Sequence, residues 1–260
     1  MVTERLQASK RNDGTDVPVG YLESKSVNFE LEPANIAERL LNLNLVSSWT
    51  TSYAFAYCIL DLYSSSRRDD FVAGLQSECD LIKNEYGGIG SKEAVDKMYR
   101  VDTAVRESLR ISLFSVVALP RIVSPGRGLD VGDNTHIPPG VGISFPFQAR
   151  HHDPSSYENP LAYDAFRFSR PFERPRGHEI RDQKRVHSAS VGEGYITYGY
   201  GKHACPGRWL ASQMLKQALA QVLLHYEVEC VGPLAPRTVI SNAVLPQKDA
   251  QVRIKPRVNA

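Results

Sequence analysis

Tyr198-Gly199-Tyr200-Gly201-Lys202-His203-Ala204-Cys205-Pro206-Gly207-Arg208 places three glycines, one His, one Cys and one Pro within eleven residues. Several familiar readings of its parts fail. Gly194 and Gly199 have phosphate-loop spacing, but Tyr200 follows where Lys is needed. The Gly199/Gly201 pair lacks the third glycine of a dinucleotide loop. His203 and Cys205 offer half a zinc site, with no second pair of ligands nearby. A physical reading remains: a tightly turning loop that presents one thiol just before a helix. Pro206 suits a first helical turn, and Trp209, Leu210, Met214, Ala218, Leu219 and Val222 follow at helical spacing. The positive end of that helix favours negative charge on the sulfur, and the Gly207 and Arg208 N–H groups are placed to donate to it. A lone thiolate of this kind suits a metal whose opposite face stays open.

Working outward, composition removes several classes. The chain has 260 residues, enough for one large domain or two small ones. Lys+Arg is 31 against Asp+Glu 29, a net charge of +2, which argues against nucleic-acid binding by bulk electrostatics. Hydrophobic residues at 42% and charged residues at 23% fit a folded globular chain. Cys58, Cys79, Cys205 and Cys230 are scattered and form no CxxC pair, which argues against a disulfide scaffold or a four-cysteine zinc site. No apolar run reaches the roughly 18 residues of a membrane-spanning helix. The polar N-terminus lacks the apolar stretch of a signal peptide.

Residues 1–30 read as a polar N-terminal segment in a loop, and 31–260 as the folded portion. From Pro33, residues such as Ile36, Leu40, Val46, Trp49, Tyr53, Tyr57 and Leu60 recur at helical spacing on most faces. With no Gly or Pro between 34 and 66, this predicts one long buried helix of about nine turns. A second helix is expected over Arg68–Tyr86, stopped by Gly87-Gly88. A third runs from Ser91, its N-cap, to about Leu113, with Met98, Val101, Val105, Leu109 and Leu113 as its apolar face. Residues 114–205 hold nine of the sixteen prolines and short runs such as Val116–Leu119 and Gly142–Phe145, which predicts strands and loops. The Arg/Lys/His-rich stretch 172–190 reads as a solvated loop, and the tail after Glu227 as short strands. Helices first, a proline-rich mixed region next and one more helix last is not the alternation of a doubly wound sheet. The fold class is mainly α, of the α+β kind.

The string YGYGKHACPGR resembles the haem-binding loop of cytochromes P450, Phe-x-x-Gly-x-(Arg/His)-x-Cys-x-Gly, with Tyr198 where Phe is usual. A Cys thiolate on haem iron pushes electron density onto it and favours O–O cleavage. The resemblance implies haem b with Cys205 as axial ligand and metal ligand, and His203 as a propionate partner. It implies Gly201 and Gly207 as the residues that permit the turn and the close approach of backbone to sulfur. Glu107-Ser108-Leu109-Arg110 resembles the family's Glu-x-x-Arg, whose spacing puts both side chains on one helical face. Tyr163-Asp164-Ala165-Phe166-Arg167-Phe168 resembles the later motif that supplies a further Arg. Glu107, Arg110 and Arg167 are thereby implied as a structural triad. Ser47-Ser48-Trp49-Thr50-Thr51 falls where the family's oxygen-activating helix lies. Thr50 aligns with the catalytic alcohol that helps deliver protons, while Trp49 stands at the acid position and Ser47 at the groove-making Gly. Arg121, after Val116–Leu119, is implied as a second propionate contact. His136–Gly140, His152-Asp153-Pro154 and Ile240–Leu245 are similar to a strand, a following helix and the last substrate-facing turn. A metal reading of His151-His152-Asp153 gives way to that loop position.

The resemblance runs over about residues 35–255 and matches the C-terminal half of the family's fold: the long central I-type helix, the K-type helix, a small β-sheet region, the haem loop and the L-type helix. It implies a fungal-type haem-thiolate monooxygenase acting on an apolar small molecule in secondary-metabolite biosynthesis. Electrons would come from NADPH through NADPH-cytochrome P450 reductase, docked near the Cys205 face. The alternatives are a truncated, haem-binding but inactive fragment, and a haem-thiolate isomerase or dehydratase that needs neither oxygen nor reductase. The full-length family sits at the endoplasmic reticulum membrane; for this chain, without the anchor, a cytoplasmic or peripheral place is expected. The half carrying the anchor, the roof of the pocket and a further basic haem contact is not expected here. Without it, apolar surface should be exposed on the central helix.

Overall fold

The structure, a computed structural model, describes residues 32–112, 114–173 and 186–257. The polar segment 1–30 lies outside these residues, as does much of the basic stretch 172–190. Residue contacts divide the chain into two units, residues 1–52 and 53–260. The first helix, α1, spans Pro33–Tyr63. Its portion in the first unit buries Ile36 and exposes Leu41, Leu43, Leu45, Val46 and Trp49. Burial all along the helix was the expectation from its sequence; only Ile36 and the far end, from Ala54 through Tyr63, carry buried apolar residues.

In the second unit, α2 spans Arg68–Tyr86 and buries Phe71, Leu75, Cys79 and Ile82, one stripe at helical spacing. Asp69 and Asp70 in its first turn and Lys83 in its last match the helix dipole. Gly87, at φ 68°, closes it as expected. The single helix predicted from Ser91 is instead two, α3 over Lys92–Lys97 and α4 over Tyr99–Ile111. Ser91 does cap α3, accepting from the Ala94 N–H at 3.1 Å. The break falls at Met98, whose own N–H closes α3 on the Val95 carbonyl. In the first turn of α4 the N–H groups of Arg100 and Val101 donate to the Glu78 carboxylate of α2 at 2.7 and 2.9 Å. An acceptor from another helix thus replaces a cap in the local sequence.

A short α5 spans Phe147–His151, and α6 spans Arg208–His225. Pro206 sits in the turn before α6, two residues ahead of its start. The apolar stripe read on α6 is only partly its buried face: Trp209, Leu210 and Met214 are exposed. The buried residues are Ser212, Leu215, Lys216, Leu219, Ala220, Leu223 and Leu224. A buried serine and lysine broke the apolar pattern, and both have partners. Lys216 Nζ donates to the Val95 carbonyl at 3.1 Å and lies 3.7 Å from Asp102 Oδ1. Asp102 also accepts from Ser188 N and Ser188 Oγ, at 2.8 and 2.7 Å. The core joins the end of α1 (Ala54, Cys58, Leu62) to α2, α4 and α6, with Phe71 edge-on to Tyr163 and Phe166.

Among the described residues, four two-stranded antiparallel sheets complete the unit. β1 (Ala118–Ile122) and β4 (Gly142–Phe145) pair, as do β2 (Leu129–Asp130) and β3 (His136–Ile137). β5 (Tyr226–Cys230) pairs with β8 (Val252–Pro256), and β6 (Thr238–Ile240) with β7 (Ala243–Leu245). The strand expected at Val116–Leu119 slides toward the C-terminus. The Val116 and Val117 N–H groups are taken by Asn242, through its carbonyl and its side-chain Oδ1. No helix among the described residues is long and apolar enough to cross a membrane.

Candidate functional site

The cysteine loop is fixed from its base upward. Thr197 Oγ1 donates to the Leu109 carbonyl at the end of α4, at 3.0 Å. Gly199 N–H donates to the Ile196 carbonyl and Cys205 N–H to the Tyr198 carbonyl, both at 2.7 Å. Tyr198 packs on the main core, and burial pushes its phenol pKa up. A 3-10 turn, Gly201–His203, forms the tip. Gly199 and Gly201 have φ of 80° and 62°, where a side chain is strained. At Gly199 an added Cβ would also stand 3.4 Å from the His203 carbonyl and 3.7 Å from Leu119 Cδ2. Gly199→Ala is expected to cost about 1–2 kcal/mol of stability. A melting temperature equal to that of the parent chain would contradict this.

The loop leaves the Cys205 thiol exposed while its backbone is held. Arg208 Nη1 donates to the Cys205 carbonyl at 2.8 Å, and the Arg208 N–H points at that same carbonyl, 3.5 Å away, not at sulfur. Gly207 has an ordinary negative φ of −83°. What it supplies is room, since a Cβ there would lie 3.9 Å from Sγ. His203 is exposed on the tip. Arg121 is exposed on β1, its Nη1 donating to the Pro120 carbonyl at 2.8 Å. Leu119, two residues earlier, reaches Gly199, so β1 lies against the loop. Thr50 belongs to the first unit; there its Oγ1 donates to the Val46 carbonyl at 2.7 Å within α1.

Glu107, Arg110 and Arg167 come together. Arg110 meets Glu107 with two parallel bonds, Nε to Oε2 and Nη2 to Oε1, both 2.8 Å, and both side chains are fully buried. Arg167 Nε adds a third bond to Glu107 Oε1 at 3.0 Å. Arg167 also donates to the carbonyls of Glu158, Asn159 and Ala162, which ties residues 158–167 to α4. Arg110 Nη1 donates to the His151 carbonyl at 2.7 Å.

Two polar groupings besides the Asp102–Lys216 set escaped sequence reasoning. Asp61, at the end of α1, pairs with Arg237 Nη2 at 2.7 Å and accepts from the Ser112 hydroxyl. Arg237 also bonds the Ser112 hydroxyl and lies over the Tyr57 ring. Tyr57 OH donates to the Val244 carbonyl at 3.1 Å, so α1 and the end of α4 hold the β6–β7 hairpin. Burial raises the Asp61 pKa to about 6, with Arg237 opposing. The other grouping is His151, whose ring accepts from the Ile196 N–H at 2.9 Å, just ahead of the cysteine loop. Asp61 was masked by the apolar helix around it. His151 was legible only as part of a His-His-Asp string.

The family model described as Cytochrome P450 matches residues 2–254. This chain belongs to the cytochrome P450 family. Cytochrome P450 monooxygenase htyF of Aspergillus rugulosus is 39% identical over 204 residues, covering 76% of this chain and 30% of that protein. Cytochrome P450 monooxygenase gloP of Glarea lozoyensis is 34% identical over 277 residues, covering 99% of this chain and 51% of that protein. The chain thus spans about half, or less, of the length of these P450 relatives. A P450 fold implies haem held by a cysteine thiolate, and the donor set suits such a group. Among the described residues no three His, Cys, Asp or Glu side chains gather to hold a metal ion.

Proposed function

We propose that this chain carries the haem-thiolate site of a cytochrome P450 monooxygenase, with Cys205 as the axial ligand of haem b. The supporting observation is the exposed Cys205 thiol on a hydrogen-bonded loop, backed by the buried Glu107–Arg110–Arg167 set. Bound haem supplies the oxygen chemistry: one atom of O2 enters a C–H or C=C bond of an apolar substrate and the other leaves as water, using two protons and two electrons from NADPH through NADPH-cytochrome P450 reductase.

The side chains divide the remaining work. Cys205 offers sulfur from a loop that does not have to reorganise, because its N–H and C=O are already bonded. Arg121 and His203, both exposed, supply donors for the two propionates. Gly207 keeps the space beside sulfur free. Glu107, Arg110 and Arg167 hold the loop's foundation and touch no reactant. Thr50 donates into α1 and keeps its lone pairs available to accept a proton for relay. The β6–β7 hairpin, held by Tyr57 and Arg237, forms a wall facing substrate. Secondary metabolism is the setting this reading assigns; the endoplasmic reticulum membrane is that of the full-length family, and a cytoplasmic or peripheral place is the one proposed for this chain.

The test is the absorption spectrum of the reduced, CO-bound chain loaded with haem. A red-shifted Soret band is expected for the parent chain and its complete loss for Cys205→Ala. An identical spectrum from both would overturn the assignment of Cys205. Substrate-dependent NADPH consumption with added reductase separates turnover from haem binding alone, and product formed without oxygen would favour an isomerase or dehydratase.

A further inference from the structure

The His151 imidazole is completely buried, yet the triad and the thiol leave it without a role. It is stacked on Tyr195, with centroids 5.3 Å apart and planes at 14°, and flanked by Phe147 at 5.0 Å. Two donors converge on this one residue. Arg110 Nη1 reaches its carbonyl at 2.7 Å, and the Ile196 N–H reaches its ring Nε2 at 2.9 Å. Since Nε2 accepts, the proton of the neutral ring sits on Nδ1. Nδ1 is buried and has no hydrogen-bond partner among the described residues.

That unpaired N–H decides between two roles for the residue. A ring needed only to fill the space between Phe147 and Tyr195 is better supplied by Phe, which buries no unmatched donor. Histidine is worth its unmatched Nδ1–H only if the acceptor at Nε2 matters. The Ile196 N–H it satisfies stands at the entrance to the cysteine loop. From there the path to Cys205 is short: the Ile196 carbonyl takes Gly199 N–H, and the Tyr198 carbonyl takes Cys205 N–H.

We propose that His151 is a positioning residue, which registers the cysteine loop against the Glu107–Arg110 pair by receiving Arg110 on its carbonyl and Ile196 on its ring. Burial, with the Arg110 guanidinium adding to it, keeps the ring neutral and able to accept. The functional consequence rests on Cys205 being the iron ligand; the structural coupling does not.

The experiment compares the haem-free parent chain with His151→Phe and His151→Gln by amide hydrogen exchange. Gln places a carbonyl oxygen near the position of Nε2, so it tests the acceptor apart from the ring. His151→Phe is expected to speed exchange across residues 196–205 by about tenfold or more, with α2 unchanged. His151→Gln is expected to stay within about threefold of the parent. After haem loading, the thiolate-type CO band should weaken in His151→Phe and return in His151→Gln. Unchanged exchange in the Phe variant, equal acceleration of α2, or Gln behaving as Phe does would each overturn the proposal. If His151→Phe does not fold, the Gln variant decides alone, since rapid exchange there removes the argument. A parent chain with no thiolate band would defeat the haem reading and leave the exchange result standing.

Discussion

Glu107→Ala is expected to remove about 3–5 kcal/mol of stability, because it leaves buried positive charge without its partner. Glu107 and Arg110 are both fully inaccessible, and Arg167 is only 14% exposed at its side chain. Each guanidinium keeps some carbonyl contacts, Arg110 to His151 and Arg167 to Glu158, Asn159 and Ala162. Those contacts satisfy donors and leave the charge uncompensated. Surface pairs such as Lys92–Asp96, exposed on both sides, give a natural contrast, since solvent screens them and their removal should change stability little. Glu107→Gln should fall between, keeping one acceptor and losing the charge. Urea unfolding midpoints report the difference. A loss below about 1 kcal/mol for Glu107→Ala would mean the set is far better solvated than its burial indicates.

Acid should weaken this chain through His151 in particular. Burial first, then the Arg110 guanidinium, lowers its pKa from 6.5 to about 3. In the unfolded chain the imidazole takes a proton near 6.5, while the folded chain refuses it until about 3. The unfolded state therefore binds more protons in that window, and stability falls as pH falls through it. Between pH 7.5 and 5 the loss from this group alone is about 2 kcal/mol. Asp61 works in the opposite direction: its raised pKa makes its share of stability complete below 3.8 and lost as pH rises through about 6. The two overlap, so the informative quantity is the difference between the parent chain and His151→Gln. On acidification that difference should move by about 2 kcal/mol in favour of the Gln variant, which has no such proton to take. Parallel pH profiles for the two chains would show that the ring is not held neutral.

Sequence reasoning reached these sites unevenly, for physical reasons. α2 and its glycine stop were legible because cap, stripe and terminator are all local. The cysteine loop was legible because glycines at 199 and 201 have few other uses beside a Cys and a Pro. Glu107 and Arg110 lie one helical turn apart, so spacing placed them on one face; their meeting with Arg167 spans sixty residues and rested on resemblance. Lys216 and Ser212 on the buried face of α6 were unreadable, because their partners Asp102, Val95 and Ser188 come from distant segments. The exposed Trp209 and Met214 show the converse, since apolar spacing marks a stripe without saying what covers it.

The Glu78 carboxylate that closes the start of α4 bears on the order in which the unit assembles. Met98 offers no side-chain bond to α4, so its first turn cannot be completed from within its own segment. A helix of that length is marginal in isolation. It gains its missing acceptor when α2 docks, and α2 in turn gains a fixed place for a carboxylate whose pKa burial raises. Each helix is finished by the other, so the two should form and melt together as one cooperative unit. The residues that anchor the cysteine loop, at the opposite end of α4, are therefore coupled through that helix to its contact with Glu78 of α2.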